Sequence, residues 1–192
     1  MSKMMTAETA QGHDSAPDSI CFAELDGGVV IIRVTGRGSF ANSAELKQLI
    51  DRVAESHGAG NYSIFVDMEH TTTLDSTFMG ALAGAGLRHK RDNGSAMTLV
   101  NVNEQCSRLL ETVGIKHFVD VRVAPVTGTE DVPEEAFQDC DAANLSRADR
   151  IIHMIEAHEK LCELDPENST RFQSVLKYLN ESLERENNKQ AS

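Results

Sequence analysis

Three consecutive residues, Asp75-Ser76-Thr77, set a carboxylate beside two hydroxyls where an apolar run ends and a run of small residues begins. Hydroxyls in such a place can do three things. They can cap a helix, because their oxygens accept the free amide hydrogens of its first turn. They can act as nucleophiles, given a base within reach and donors for a developing oxyanion. They can receive a phosphoryl group, which adds about −1.5 to −2 charges and three strong acceptors. The nucleophile lacks its partners in the local sequence: His70 and His89 are near only along the chain, and no G-x-S-x-G elbow is present. An enzyme is therefore not expected.

Other chemistry-bearing groups are sparse. His158 and Cys162 stand at i, i+4 and share a helical face, with His153 pointing elsewhere. Two ligands do not complete a zinc site, so a packed or surface role is expected for them. Gly80, Gly84 and Gly86 lack the G-K-[ST] ending of a phosphate loop, and small residues there predict a helix lying close to a sheet. Arg88, Lys90 and Arg91 fall at the end of that helix, where cations align well with its dipole. Cys21, Cys106, Cys140 and Cys162 form no C-x-x-C pair. With neither a secretory signal nor an apolar run long enough for a bilayer, reduced thiols and a cytoplasmic location are expected. No cofactor and no metal are expected.

The elements that must position Ser76 can be read from periodicity. Residues 1–19 are polar and aperiodic and predict a disordered lead. ICFAEL and VVIIRVTG, joined at Asp26-Gly27-Gly28, predict a hairpin. NSAELKQLIDRVAESH follows as a helix that Ser43 can cap, with Leu46, Leu49, Ile50 and Val53 on one face. NYSIFVDM is apolar almost throughout, as a central strand covered on both faces should be. Thr71 to Thr77 reads as a polar turn opening a helix whose stripe is Met79, Leu82, Ala83 and Gly86. A strand (SAMTLVNVN), a helix (EQCSRLLETVG, with Gly114 as its C-cap) and a strand (KHFVDVRV) complete the unit. The order β-β-α-β-α-β-α-β over residues 20–124 predicts an α/β domain with a mixed sheet flanked by helices.

Residues 125–143 read as an acidic linker with one short helical turn. Residues 144–187 predict an α-helical hairpin extension. Its first helix carries Leu145, Ile151, Ile152, Ile155 and Leu161, and its second carries Phe172, Val175, Leu176, Leu179 and Leu183. Pro166 fits the first turn of the second helix. Such a hairpin buries little alone and must pack on the α/β domain, on a second copy or on a partner. A homodimer through these helices is one solution. Residues 188–192 should fray.

The chain has 192 residues, 40% of them hydrophobic and only 5% aromatic, so aliphatic side chains must build the core. Its net charge of −12 argues against nucleic acid and anionic membranes, which reward a basic face. Residues 126–192 carry −8 of it.

The strand, the D-S-T turn and the small-residue helix together resemble the STAS-domain family, specifically the bacterial anti-sigma factor antagonists. GVVIIRVTGR, FANSAELKQLI and SAMTLVNVNEQCSRLLETVGIKHFV resemble the flanking family elements, in order, over roughly residues 20–124. The resemblance implies that Ser76 is phosphorylated by an anti-sigma factor serine kinase. It implies that the unphosphorylated protein binds that kinase, and that a metal-dependent serine phosphatase removes the mark. Asp75 and Thr77 would support the turn, and Phe78 and Met79 would contribute partner interface. Phe78-Met79-Gly80 stands where the family usually has G-L-G, which suggests a bulky exposed ring beside the phosphosite. The Asp that often follows G-R is absent, and the hairpin lies outside the family core. On this reading Ser76→Asp weakens kinase binding and leaves the melting temperature nearly unchanged. The alternative is a non-switching scaffold whose hairpin drives self-association or recruits another protein.

Overall fold

The computed structural model describes residues 17–126 and 132–190. Most of the expected disordered lead lies outside these residues, but its end does not. Asp18 pairs with Arg37 at 3.2 Å, and Ser19 opens the first strand. Strand β1 (Ser19–Leu25) turns through Asp26-Gly27-Gly28 into the long β2 (Val29–Gly38), antiparallel as predicted. Both glycines of the turn have φ of 76°, a conformation that side chains with a Cβ resist.

Helix α1 (Ser43–His57) leads to β3 (Ser63–Asp67), which lies parallel to β2. The chain then makes a strand that sequence periodicity did not reveal: Thr71–Leu74 is β4, parallel to the outer end of β2. The ten residues of β2 extend beyond β3 and leave a free edge there. β-Branched threonines suit such an edge. Thr71 Oγ1 donates to the Val34 carbonyl at 2.9 Å, and Thr72 Oγ1 donates to that of Gly36 at 3.0 Å. The segment read as a polar turn is thus a paired strand that ends at the site.

Helix α2 (Ser76–Asn93), β5 (Met97–Val100), α3 (Glu104–Thr112) and β6 (Val119–Val121) follow. The sheet order is β6-β5-β3-β2-β1-β7, with β4 paired to β2 off this path. It is a mixed sheet flanked by helices, and its core is aliphatic: Val30, Ile32, Leu46, Leu49, Val66 and Leu82 are all buried.

The segment read as a linker is partly ordered against the sheet. After the expected helical turn at Glu134–Ala136, β7 (Gln138–Asp139) adds an antiparallel edge to β1. Arg33 secures it, standing 4.0 Å above the Phe137 ring and 2.8 Å from Glu134.

The hairpin forms as α4 (Arg147–Leu164) and α5 (Pro166–Gln190). Its second helix continues past the expected fraying point to Gln190. Residues 191–192, the end of the expected frayed tail, lie outside the described residues. Ile151, Ile155 and Leu179 form a small core between the two helices, while Leu161 and Phe172 enter the main core. The hairpin therefore packs on its own α/β domain.

Candidate functional site

Asp75 is the N-cap of α2, with extended φ and ψ of −94° and 171°. Its two carboxylate oxygens serve different elements. Oδ1 accepts from the Phe78 amide at 2.9 Å, which satisfies a first-turn donor of α2. Oδ2 accepts from the Phe40 amide at 2.7 Å, which fixes the loop between β2 and α1. Asp75 also donates its own amide to the Gly38 carbonyl at 2.9 Å. The acid is thus the joint of the turn, and capping belongs to it rather than to Ser76.

Ser76 is the first residue of α2 and is half-buried. Its Oγ lies 2.9 Å from Nε2 of His158, on α4. The Nδ1 of that ring stands 2.7 Å from the Met154 carbonyl oxygen, a contact that only an N–H can satisfy. In the neutral ring Nε2 therefore carries the lone pair and accepts the Ser76 hydroxyl hydrogen. Phe172 meets the imidazole edge-on, with ring centres 5.1 Å apart. A serine–histidine pair thus exists, formed by a residue 82 positions downstream.

Thr77 is buried. The expected exposure of Phe78 is overturned: its ring is fully buried, and Met79 is buried as well. The reason lies in Gly38. A Cβ there would stand 2.7 Å from Phe78 Cδ1 and 2.7 Å from Leu74 Cδ2, so the missing side chain makes the space that the ring fills. The aromatic ring exposed beside the turn is instead Phe40, at 62%.

The glycines of α2 divide their work, where one role had been expected. Gly86 faces the sheet, since a Cβ would meet Val119 Cγ1 at 2.6 Å. Gly80 faces α4, since a Cβ would meet the Ala157 carbonyl oxygen at 2.2 Å. The two helices therefore cross with backbone against side-chain-free backbone. A second histidine of α4 makes a similar contact on α1: His153 Nε2 lies 2.9 Å from Ser43 Oγ. Ser43, expected as a cap, is a buried first-turn residue whose hydroxyl bonds to this ring. Burial, reinforced by Lys47 and opposed by Glu156, holds the His153 imidazole below its ordinary pKa. At the far end Asn168, fully buried, donates to the carbonyls of Val113 at 3.0 Å and Leu161 at 2.8 Å.

Sequence reasoning expected a packed or surface role for His158 and His153, both of which are buried, but missed their serine partners, and it missed Asn168 and Gly38. Each acts on a residue distant in sequence, and no local pattern announces such a pairing. Among the described residues no group of three or more His, Cys, Asp or Glu could hold a metal ion. None of their helices is long and apolar enough to cross a membrane.

A strand, an Asp-capped turn and a helix opening at Ser76, set on this mixed sheet, agree with a match of residues 23–131 to the family model described as STAS domain. The chain belongs to the STAS-domain family. Solved structures with a similar fold include the anti-sigma factor antagonist SpoIIAA in its unphosphorylated form, at 15% identity over 56% of this chain and 90% of that one, TM-score 0.45. An anti-sigma factor antagonist from Mycobacterium paratuberculosis is 21% identical over 59% of this chain and 92% of that one, TM-score 0.48. Part of the murine Slc26a9 anion transporter is also similar, at 17% identity over 56% of this chain and 20% of that one, TM-score 0.43. No curated protein matches the chain. The STAS match ends before α4, so the hairpin and both of its histidine contacts lie beyond it.

Proposed function

We propose that this STAS protein is a phosphorylation-switched anti-sigma factor antagonist of the cytoplasm, a binding switch and not a catalyst. The observation that carries the reading is Ser76 at the start of α2, directly after the doubly bonded Asp75. With Ser76 unphosphorylated, the protein binds an anti-sigma factor serine kinase. Phosphorylated by that kinase, it releases it. A metal-dependent serine phosphatase resets the site.

The physics favours a switch at this residue. A neutral hydroxyl enters an interface at little cost. A phosphate does not, because a partner surface shaped for the neutral turn must desolvate an unpaired dianion beside the Asp75 carboxylate. A penalty of ~3 kcal/mol already weakens binding more than a hundredfold. The scaffold alternative requires the hairpin's apolar stripes to be free for another chain. Leu161 and Phe172 instead pack into this chain's own core, which favours the switch.

The test is an intact mass and peptide map of the protein recovered from its own cells, with and without stress. A single phosphate on Ser76 that varies with conditions is expected. No phosphate under any condition would reduce Asp75-Ser76-Thr77 to a helix cap and favour the scaffold.

A further inference from the structure

Ser76 is not offered to solvent as an open turn. Its hydroxyl is bonded to a ring that is itself only 3% exposed, and that ring is held by Met154 and Phe172. Beside it, the α4 backbone at Ala157 occupies the space that a Cβ on Gly80 would need. His153 on Ser43 and Asn168 on Val113 pin the same two helices on either side. Four separate contacts thus hold one element over one hydroxyl.

We propose that the α4–α5 hairpin is a strap that covers Ser76, that it must lift before this hydroxyl can be modified, and that a phosphate on Ser76 keeps it lifted. The inference rests on Ser76 being the phosphoacceptor. Phosphoryl transfer needs Ser76 Oγ in line with the γ-phosphorus of a nucleoside triphosphate held in another protein. A new Oγ–P bond forms, the bond from phosphorus to the β-bridging oxygen breaks, the nucleoside diphosphate leaves, and the hydroxyl proton passes to a base of the kinase. With Nε2 of His158 at 2.9 Å from Oγ, there is no path for a phosphorus atom on that side.

Once made, the phosphate does not fit under the closed strap. Nδ1 of His158 is already engaged with the Met154 carbonyl, and Nε2, 2.9 Å from Ser76 Oγ, occupies the space that the new oxygens would need. Asp75 stands next in the chain, and the α4–α5 hairpin that would have to cover the dianion carries nine acids against seven bases over residues 147–190, a net −2. The hairpin can leave as a unit, because Ile151, Ile155 and Leu179 hold its two helices together. Phosphorylation and strap docking therefore oppose each other, and each raises the cost of the other by the same factor. The hairpin becomes an intramolecular competitor for the face that a partner needs.

The test is hydrogen exchange of the full chain, followed by mass spectrometry, for wild type, Gly80→Ala and Ser76→Glu. Gly80→Ala places a methyl group against the Ala157 carbonyl while improving helix propensity within α2, so it acts on the strap and spares the sheet. Ser76→Glu leaves Gly80 untouched and reaches the strap by charge. In both variants amides of residues 147–164 should exchange about tenfold faster, with β3 and β5 keeping their protection. The phosphorylated fraction of Ser76 in cells should rise in Gly80→Ala. Unchanged protection of residues 147–164 in both variants overturns the strap, even if Ser76 carries phosphate in cells. Faster exchange with no phosphate ever found on Ser76 supports the removable cover and instead overturns the phosphoswitch.

Discussion

The Phe40 amide donates to Oδ2 of Asp75 at 2.7 Å, across 35 positions of chain. The other oxygen of the same carboxylate caps α2 through the Phe78 amide. One side chain thus fixes both the loop before α1 and the start of α2, and both flank Ser76. Removing it should cost more than an ordinary cap. Asp75→Ala is expected to lower stability by about 2–3 kcal/mol, from a lost cap and a lost charge-assisted bond. Asp75→Asn, which keeps an acceptor for one amide, should lose about half as much. Urea unfolding with an unchanged slope would measure both.

Gly38 and Phe78 form a second dependent pair. A methyl group at Gly38 would press on Phe78 and Leu74, both in the core. Gly38→Ala should destabilise by about 1–3 kcal/mol through overpacking. Phe78→Leu alone leaves space unfilled and should also destabilise. Together the two should cost less than their sum, because the smaller side chain yields the space the methyl group takes. A thermodynamic cycle from chemical denaturation checks this, and strict additivity would refute the pairing.

This pair also shows where sequence reading ran out. The alternation of strands and helices over residues 20–124, the stripe of α2 and the hairpin helices were visible as local periodicities of 2 and 3.6. Ser76 was legible because its neighbours along the chain define a strand-to-helix turn. The burial of Phe78 was not, since the space for its ring comes from a glycine forty positions earlier. β4 was hidden because three threonines and one leucine have too little alternation to mark a strand, and only the overhang of β2 gives them a partner. His158 was legible as a helical residue but not as the partner of Ser76, because the docking of α4 on α2 depends on Gly80 meeting Ala157. That contact is shape against shape and has no one-dimensional pattern.

The structure predicts an acid-labile fold. Burial lowers the imidazoles of His89 and His153 below 6.5. His89 accepts from the Ile64 amide and faces the Ser95 carbonyl, with Asp92 opposing the shift. His153 faces Ser43, with Lys47 deepening its shift and Glu156 opposing it. In the unfolded chain both return to their ordinary value and take up protons first. The stability they confer is therefore complete above about pH 6.5 and falls as pH drops through the window between that value and the lowered folded one. The melting temperature should hold from about pH 8 to pH 7 and decline below pH 6.5. His153→Gln should flatten part of that decline. Thermal melts of both proteins at stepped pH give the comparison, and identical profiles would remove His153 from the account.

Asn168 anchors the hairpin near the turn between its two helices. Fully buried, its amide nitrogen serves two carbonyls, one on α4 and one at the end of α3. Its side-chain oxygen accepts from Arg171 at 2.6 Å, and the same guanidinium nitrogen donates to the Thr112 carbonyl at 2.5 Å. Asn168→Ala leaves buried carbonyls without their donor and should cost about 2–3 kcal/mol. Asn168→Asp should be worse, because it replaces a donor by an anion facing two carbonyl oxygens. The loss should fall on the hairpin first, since the carbonyls this side chain serves lie on α4 and at the end of α3 rather than on β3 or β5. Limited proteolysis would then cut within α4 or α5 before the sheet opens. Cleavage that begins in the sheet would show that hairpin and sheet unfold as one unit, and that Asn168 supports the whole fold rather than the docking of its tail.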